Sequence, residues 1–362
     1  MLLASCTSAA KPRATNGRTR RTDSGRRDVR MRSTRFPAFV PSIVQDLQEP
    51  YAKDMAMNIC REEIEVQGRN VMSSYVPPSG AHVSSDRPPL LLIHGFDSSC
   101  MEFRRLRPRL EERKLESWAF DLLGWGFTDP TPCLETCEDD ESREMEPMGC
   151  GPEAKTKHLH AFWTQKLERR PMVLLGASLG GAAALHFALR HPEAVKALVL
   201  VDAQGFIEGI GPMATLPTPF AKVGLQVLKS VPLRDVANRM AYFDKEKFAT
   251  REARDIGRLH CLLPHWEEAN LSFMQSGGYR VSSDIQRVSQ KTLVLWGEQD
   301  AILEPRYATQ FQQTLPNAML RWIKESGHVP HLEQPERTAE AIEEFMQSLH
   351  ERKPQQPNTT LA

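Results

Sequence analysis

Three residues of this 362-residue chain could together carry out acyl transfer: Ser178, Asp300 and His328. Ser178 lies in Gly176-Ala177-Ser178-Leu179-Gly180, between the apolar run 172–175 and an alanine-rich stretch of helical composition. A serine on so tight a strand-to-helix turn requires glycine at Gly176 and Gly180, because the turn leaves no room for side chains beside it. Such a turn lifts the hydroxyl clear of the strand and aims the positive end of the next helix at the place where an oxyanion forms. His328, in Ser326-Gly327-His328, is the candidate to take the Ser178 proton and return it to the leaving group. Asp300, closing Gly297-Glu298-Gln299-Asp300, would fix the imidazole tautomer and stabilise the imidazolium. The backbone N–H groups of Phe96 and Leu179 are the expected oxyanion donors, with His94 and Gly95 shaping the turn before Phe96.

Each assignment has a rival. Asp202, at the end of a neighbouring strand, and Glu298 are competing acids, and His331 is a competing base. Gly327 gives the loop freedom to aim His328, which favours it. Asp121 reads as a tie for its own glycine-rich loop. His158 and His160, with Cys150 nearby in sequence, invite a metal reading, but residues two apart on a helix do not face each other. Neither a metal nor a cofactor is expected.

The elements that must position these residues alternate. Apolar strand-length runs at 90–93, 118–121, 172–177, 197–201, 292–296 and 319–323 are separated by helical stretches, which implies a parallel sheet. Segments 62–66 and 70–76 read as two strands turning at Gly68, and 41–60 as a loose helix. Ser178, Asp300 and His328 all follow strands, at the carboxyl edge where such a sheet collects ligands. From 205 to 283 the alternation breaks into helical pieces near 220–228, 235–242, 252–261 and 266–274, a helical cap. Residues 131–151 form an acidic Pro/Gly/Cys-rich insertion without periodicity, expected as a mobile surface loop.

Composition narrows the partners. With 46 basic and 46 acidic residues, the chain has no global field to attract nucleic acid or an anionic membrane. The longest apolar runs are far below the stretch of about 18 residues that spans a bilayer, which leaves peripheral membrane contact only. Oligomeric state is not legible. Ten Lys/Arg residues precede position 40 against only Asp23 and Asp28, in a Ser/Thr/Ala-rich stretch. That pattern matches an organellar transit peptide over 1–36, with Val29-Arg30-Met31 similar to a plastid processing site. The expected destination is the plastid, with mitochondrion or cytoplasm as alternatives, and 353–362 reads as a disordered polar tail. Seven cysteines without zinc-type CxxC pairs suit a reducing compartment, although Cys133, Cys137 and Cys150 share one loop where a disulfide is conceivable.

Taken together, these motifs resemble the α/β-hydrolase superfamily from about residue 62 to 349. The resemblance rests on His94-Gly95-Phe96, Asp121-Leu122-Leu123-Gly124-Trp125-Gly126, Gly176-Ala177-Ser178-Leu179-Gly180-Gly181, Gly297-Glu298-Gln299-Asp300 and the run from Gly327 to Pro335. It implies an α/β-hydrolase fold over 37–352, a mostly parallel eight-stranded sheet flanked by helices with a helical cap. The run from Leu92 to Cys100 and the cap segment from Ile256 to Leu262 look like plastid-targeted members from plants and algae, some of which cleave phytyl or other lipid esters. The expected activity is a serine esterase on a small apolar ester, because the cap offers Phe206, Ile207, Met213, Leu216, Phe220, Met240, Phe243 and Met274. The alternatives are hydrolysis of a C–C bond in a 2-hydroxy-6-oxo dienoate, or a ligand receptor that keeps the three residues.

Overall fold

In the computed structural model, which describes residues 35–79, 87–138 and 144–349, the apolar runs become one eight-stranded sheet. In chain order its strands are β1 (Cys60–Val66), β2 (Arg69–Val76), β3 (Leu90–Ile93), β4 (Ser117–Phe120), β5 (Met172–Ala177), β6 (Val195–Val201), β7 (Lys291–Gly297) and β8 (Ala318–Ile323). Their spatial order is β1-β2-β4-β3-β5-β6-β7-β8. Only the β1–β2 and β2–β4 pairings are antiparallel. The rest are parallel.

Strand composition follows position. β3 and β5 are buried along their whole length and read as continuous apolar runs, as strands covered on both faces must. β1, at the sheet edge, buries Ile64 and Val66 while exposing Glu63 and Glu65. The longer helices are α1 (Pro50–Met57), α2 (Leu106–Glu112), α3 (Pro152–Gln165), α4 (Leu179–Arg190), α5 (Thr218–Lys229), α6 (Val231–Ala241), α7 (Arg251–Arg258), α8 (Trp266–Gln275), α9 (Arg306–Thr314) and α10 (Pro335–Ser348). α1, α2 and α10 cover one face of the sheet, against Leu90, Leu92, Val173, Leu175, Leu293 and Leu295. α3, α4 and α9 cover the other, against Leu91, Ile93, Leu174, Leu198, Leu200 and Val294. Alternate side chains of each central strand thus enter different halves of the core.

The cap is α5 to α8, inserted between β6 and β7. Its third expected segment, 252–261, divides into α7 and a 3₁₀ turn over Leu259–Leu262. The single helix expected over 41–60 divides as well: a 3₁₀ turn at Ser42–Asp46 precedes α1, which starts at Pro50, a residue suited to a first helical turn.

The insertion departs further from expectation. It forms a short helix, Thr131–Leu134, and a pair of two-residue strands, Cys137–Glu138 and Glu144–Met145. Cys133 and Cys150 are buried in the core, and the Gly149 amide donates to the Cys133 carbonyl at 2.8 Å, which closes the base of the insertion. Both of these cysteines carry free thiols. Of the expected leader over 1–36 only Arg35 and Phe36 are described, and the tail over 353–362 lies wholly outside the described residues. Among the described residues, no helix is long and apolar enough to cross a membrane.

Candidate active site

The turn from β5 into α4 is as tight as its glycines suggested. Ser178 has φ 52° and ψ −123°, a conformation few non-glycine residues adopt. A Cβ on Gly176 would lie 2.2 Å from the Gly180 carbonyl oxygen, and one on Gly180 would lie 2.5 Å from that of His94. The Ser178 amide donates to Val201 O on β6 at 3.0 Å, and Ser178 O accepts from the Gln204 and Gly181 amides at 2.8 and 2.9 Å. The strained residue is therefore held by the end of β6, by the segment that follows it and by the first turn of α4.

Three loops converge there. His328 Nε2 lies 2.9 Å from Ser178 Oγ, and His328 Nδ1 lies 2.8 Å from Asp300 Oδ2. The other oxygen of Asp300 accepts the Ile302 and Leu303 amides at 2.7 and 3.0 Å, which fixes the orientation of the carboxylate. A hydroxyl, an imidazole and a buried carboxylate in this line can move a proton from Oγ to Nε2 while Asp300 holds the proton on Nδ1.

The rivals occupy other positions. Asp202 is buried behind the line, where its Oδ1 accepts the Gly297 amide at 2.9 Å. Burial, and then the charge of Asp300, push the Asp202 pKa well above the ordinary carboxyl range, which favours its neutral form. Glu298 is exposed. His331 turns away from Ser178, with Nε2 3.1 Å from Glu102 Oε1 and its ring centroid 5.4 Å from that of Phe103.

The loop after β3 faces the elbow. His94 Nδ1 lies 2.8 Å from Gly95 O and Nε2 accepts the Leu122 amide at 3.2 Å, so the ring is neutral with its proton on Nδ1. Burial lowers its pKa, in keeping with that state. The Gly95 amide donates to Glu102 Oε2 at 3.0 Å. Burial alone would raise the Glu102 pKa, but the hydrogen bond and charge of His331 bring it down to about 2. Among the described residues no protein acceptor takes the amide of Phe96 or Leu179. These two N–H groups are free to serve an oxygen bound beside Ser178. Asp121 ties its glycine-rich loop, accepting the Cys100 and Phe127 amides at 2.6 and 2.9 Å.

His158 and His160 diverge. His158 is buried 2.7 Å from Ser73 Oγ, whereas the His160 ring lies half-buried beside that of His191. The cap residues also separate into two groups. Phe206 packs against Phe311, and Met274 joins Ala221, Leu225 and Trp266 inside the cap, so both serve packing. Ile207, Met213, Leu216, Phe220, Met240 and Phe243 remain exposed.

Two carboxylates not singled out from the sequence support the site. Glu102 holds Gly95 as described, and Glu333 Oε2 accepts the Gly327 amide at 2.6 Å, one residue before His328. Glu333 falls in the run from Gly327 to Pro335 on which the resemblance rests, but residue types alone gave neither carboxylate this role, because each accepts a backbone amide, seven and six residues away, across a turn whose shape the fold sets.

A sheet of this order, an elbow serine after β5, an acid after β7 and a histidine after β8 define the architecture of α/β hydrolases. A model of the alpha/beta hydrolase family matches residues 90–341, and the chain belongs to that family. It is 40% identical over 314 residues to the alpha/beta hydrolase domain-containing protein VTE7 of Arabidopsis thaliana, covering 86% of this chain and 90% of that one. It is 27% identical to Lipase 1 of Psychrobacter immobilis over 71% of this chain and 76% of that protein. Among solved structures, a thermophilic esterase from Thermogutta terrifontis superposes with a TM-score of 0.62 at 20% identity, over 81% of this chain and 99% of the esterase.

Proposed function

We propose that the protein is a serine hydrolase of carboxylic esters with a long apolar acyl or alcohol group. The observation that carries this reading is the continuous line Ser178 Oγ, His328 Nε2, His328 Nδ1, Asp300 Oδ2, with steps of 2.9 Å and 2.8 Å between side chains. As Oγ bonds to the ester carbonyl carbon, Nε2 takes its proton and the carbonyl oxygen becomes an oxyanion held by the Phe96 and Leu179 amides. Collapse breaks the bond to the alcohol oxygen, which leaves with the proton from Nε2. Water, deprotonated by the same nitrogen, then releases the acid from Ser178.

The substrate class is supported by the exposed apolar side chains of the cap, of which Phe220 is 67% exposed. Lipase 1 of Psychrobacter immobilis is a relative whose name fits the same chemistry. The Arg-rich segment 1–36 and the similarity to a plant protein support a plastid destination, tested by the location of a fluorescent fusion with and without that segment. The central test is covalent labelling by a fluorophosphonate. Label should appear on Ser178 and vanish in Ser178→Ala, and label that persists in the variant would move the nucleophile elsewhere.

A further inference from the structure

We propose that Asp97 is a positioning residue through which the cap holds the oxyanion loop, so that the Phe96 amide is correctly set only while the cap is seated. The inference rests on the ester-hydrolase reading above. Asp97 follows Phe96 directly, is 2% exposed and has φ +44°, a left-handed backbone rarely kept by a non-glycine residue without outside support.

That support comes from the cap. Asp97 Oδ1 accepts from Trp266 Nε1 at 2.7 Å and Asn270 Nδ2 at 3.4 Å, both on α8. The same oxygen lies 3.0 Å from His260 Nε2, in the 3₁₀ turn after α7. Oδ2 takes the guanidinium of Arg234 on α6. The four side chains that meet this carboxylate thus come from three separate cap elements.

On the other side of Phe96, the core does the holding. Gly95 is fixed by Glu102 and by the His94 ring. Phe96 thus sits between a clamp from the core and a clamp from the cap. Its side chain is subject to the same control: the Phe96 ring packs edge-on against Trp125 at 5.5 Å, and Trp125 Nε1 donates to Asn270 Oδ1 at 3.0 Å. Asn270 therefore touches both the residue after Phe96 and the ring beneath it. Asp97, His260 and Cys261 are also close enough to share an ion, but Arg234 Nη2 already occupies that space, 3.3 Å from Cys261 Sγ.

A lifted cap would take all four of these partners from the Asp97 carboxylate, and the strained backbone at Asp97, losing its support, would relax around the bond next to the Phe96 amide. Cap seating and oxyanion stabilisation are in this way one event.

The test compares wild type, Asp97→Asn and Trp266→Phe in full-length protein with p-nitrophenyl octanoate. Both variants should lose about ten- to a hundred-fold in kcat with KM within about twofold. Affinity for an alkyl boronic acid, which forms a tetrahedral adduct on Ser178, should fall by the same factor as kcat. The double variant should be no slower than Asp97→Asn alone. His260→Gln, which keeps a donor at similar reach, should retain most of the activity lost in His260→Leu. A merely structural tie would lower Tm and leave kcat and boronic acid affinity unchanged in the folded variants, and that result overturns the proposal. Should Asp97→Asn fail to fold, Trp266→Phe carries the same comparison. Wild-type protein inert to both the ester and fluorophosphonate would overturn the ester reading and this proposal with it, whereas an active wild type with full-speed variants overturns only the latter.

Discussion

Glu333 accepts the amide of Phe243 at 3.1 Å through the same oxygen that accepts Gly327, so one carboxylate joins the cap segment after α6 to the loop of His328. Its other oxygen accepts the Asp244 amide at 2.9 Å, and the His328 amide donates to Ala241 O at 2.8 Å. In Glu333→Gln, one of the two positions becomes an NH₂ facing a backbone N–H. We expect kcat to fall about tenfold and stability by about 1–3 kcal/mol, with KM nearly unchanged. Wild-type kcat in the folded variant would show that the His328 loop holds its place without Glu333.

Asp300 and Asp202 lie in one buried cluster with His328 but should answer differently to the same substitution. Asp300→Asn replaces the acceptor of the Nδ1 proton and should slow turnover by about 10³- to 10⁴-fold through the wrong tautomer. Burial favours the neutral form of Asp202, and Asp202→Asn keeps an acceptor for the Gly297 amide, so kcat should change by less than about threefold. Steady-state rates of both variants decide the matter, and the reverse ranking would make Asp202 the working acid.

Acid stability should depend on His158. Burial, reinforced by Lys155, lowers its pKa from the ordinary 6.5 to about 3. Between those values the unfolded chain binds a proton that the folded protein refuses, so the stability present above pH 6.5 is lost as pH falls toward 3. Urea unfolding at pH 7 and pH 4.5 measures it. His158→Gln should lose about 2–3 kcal/mol less than wild type over that interval. Equal losses would mean that other groups set the acid limb.

Chain length tests the apolar substrate. If the exposed side chains of α5 and α6 line the path of the substrate, each added methylene contributes up to about 0.8 kcal/mol, roughly fourfold in kcat/KM. A p-nitrophenyl ester series from acetate to decanoate should rise accordingly, and Phe220→Ser with Met240→Ser should flatten it. A flat profile in wild type argues against a lipid-like ester, and faster cleavage of a 2-hydroxy-6-oxo dienoate would make this a C–C hydrolase.

How much of this was legible in the sequence depended on how local the physical demand was. The elbow could be read directly, because the crowding at Gly176 comes from Gly180 within the same five residues and only glycine relieves it, although the crowding at Gly180 comes from His94 in a distant loop. The buried strands were equally plain, since coverage on both faces demands unbroken apolar runs such as Leu90–Ile93. Asp97 and Glu333 were not legible as supports. Their partners lie 163 residues away at His260 and 90 residues away at Phe243, and no period links them. The insertion misled for another reason: its acidic residues advertise solvent, while the two small thiols at its ends, Cys133 and Cys150, are what the core takes in.

The closed base of that insertion has an energetic consequence. Because the Gly149 amide and the Cys133 carbonyl meet at 2.8 Å, the chain enters and leaves the sheet region at one point, whatever lies between. Each doubling of the intervening segment costs only about 0.6 kcal/mol in closure entropy. Lengthening the segment between these two residues is therefore cheap, whereas removing or exchanging it would forfeit the packing of Leu134 and Met148 on the core and the bond from Arg69 on β2 to the Glu146 carbonyl.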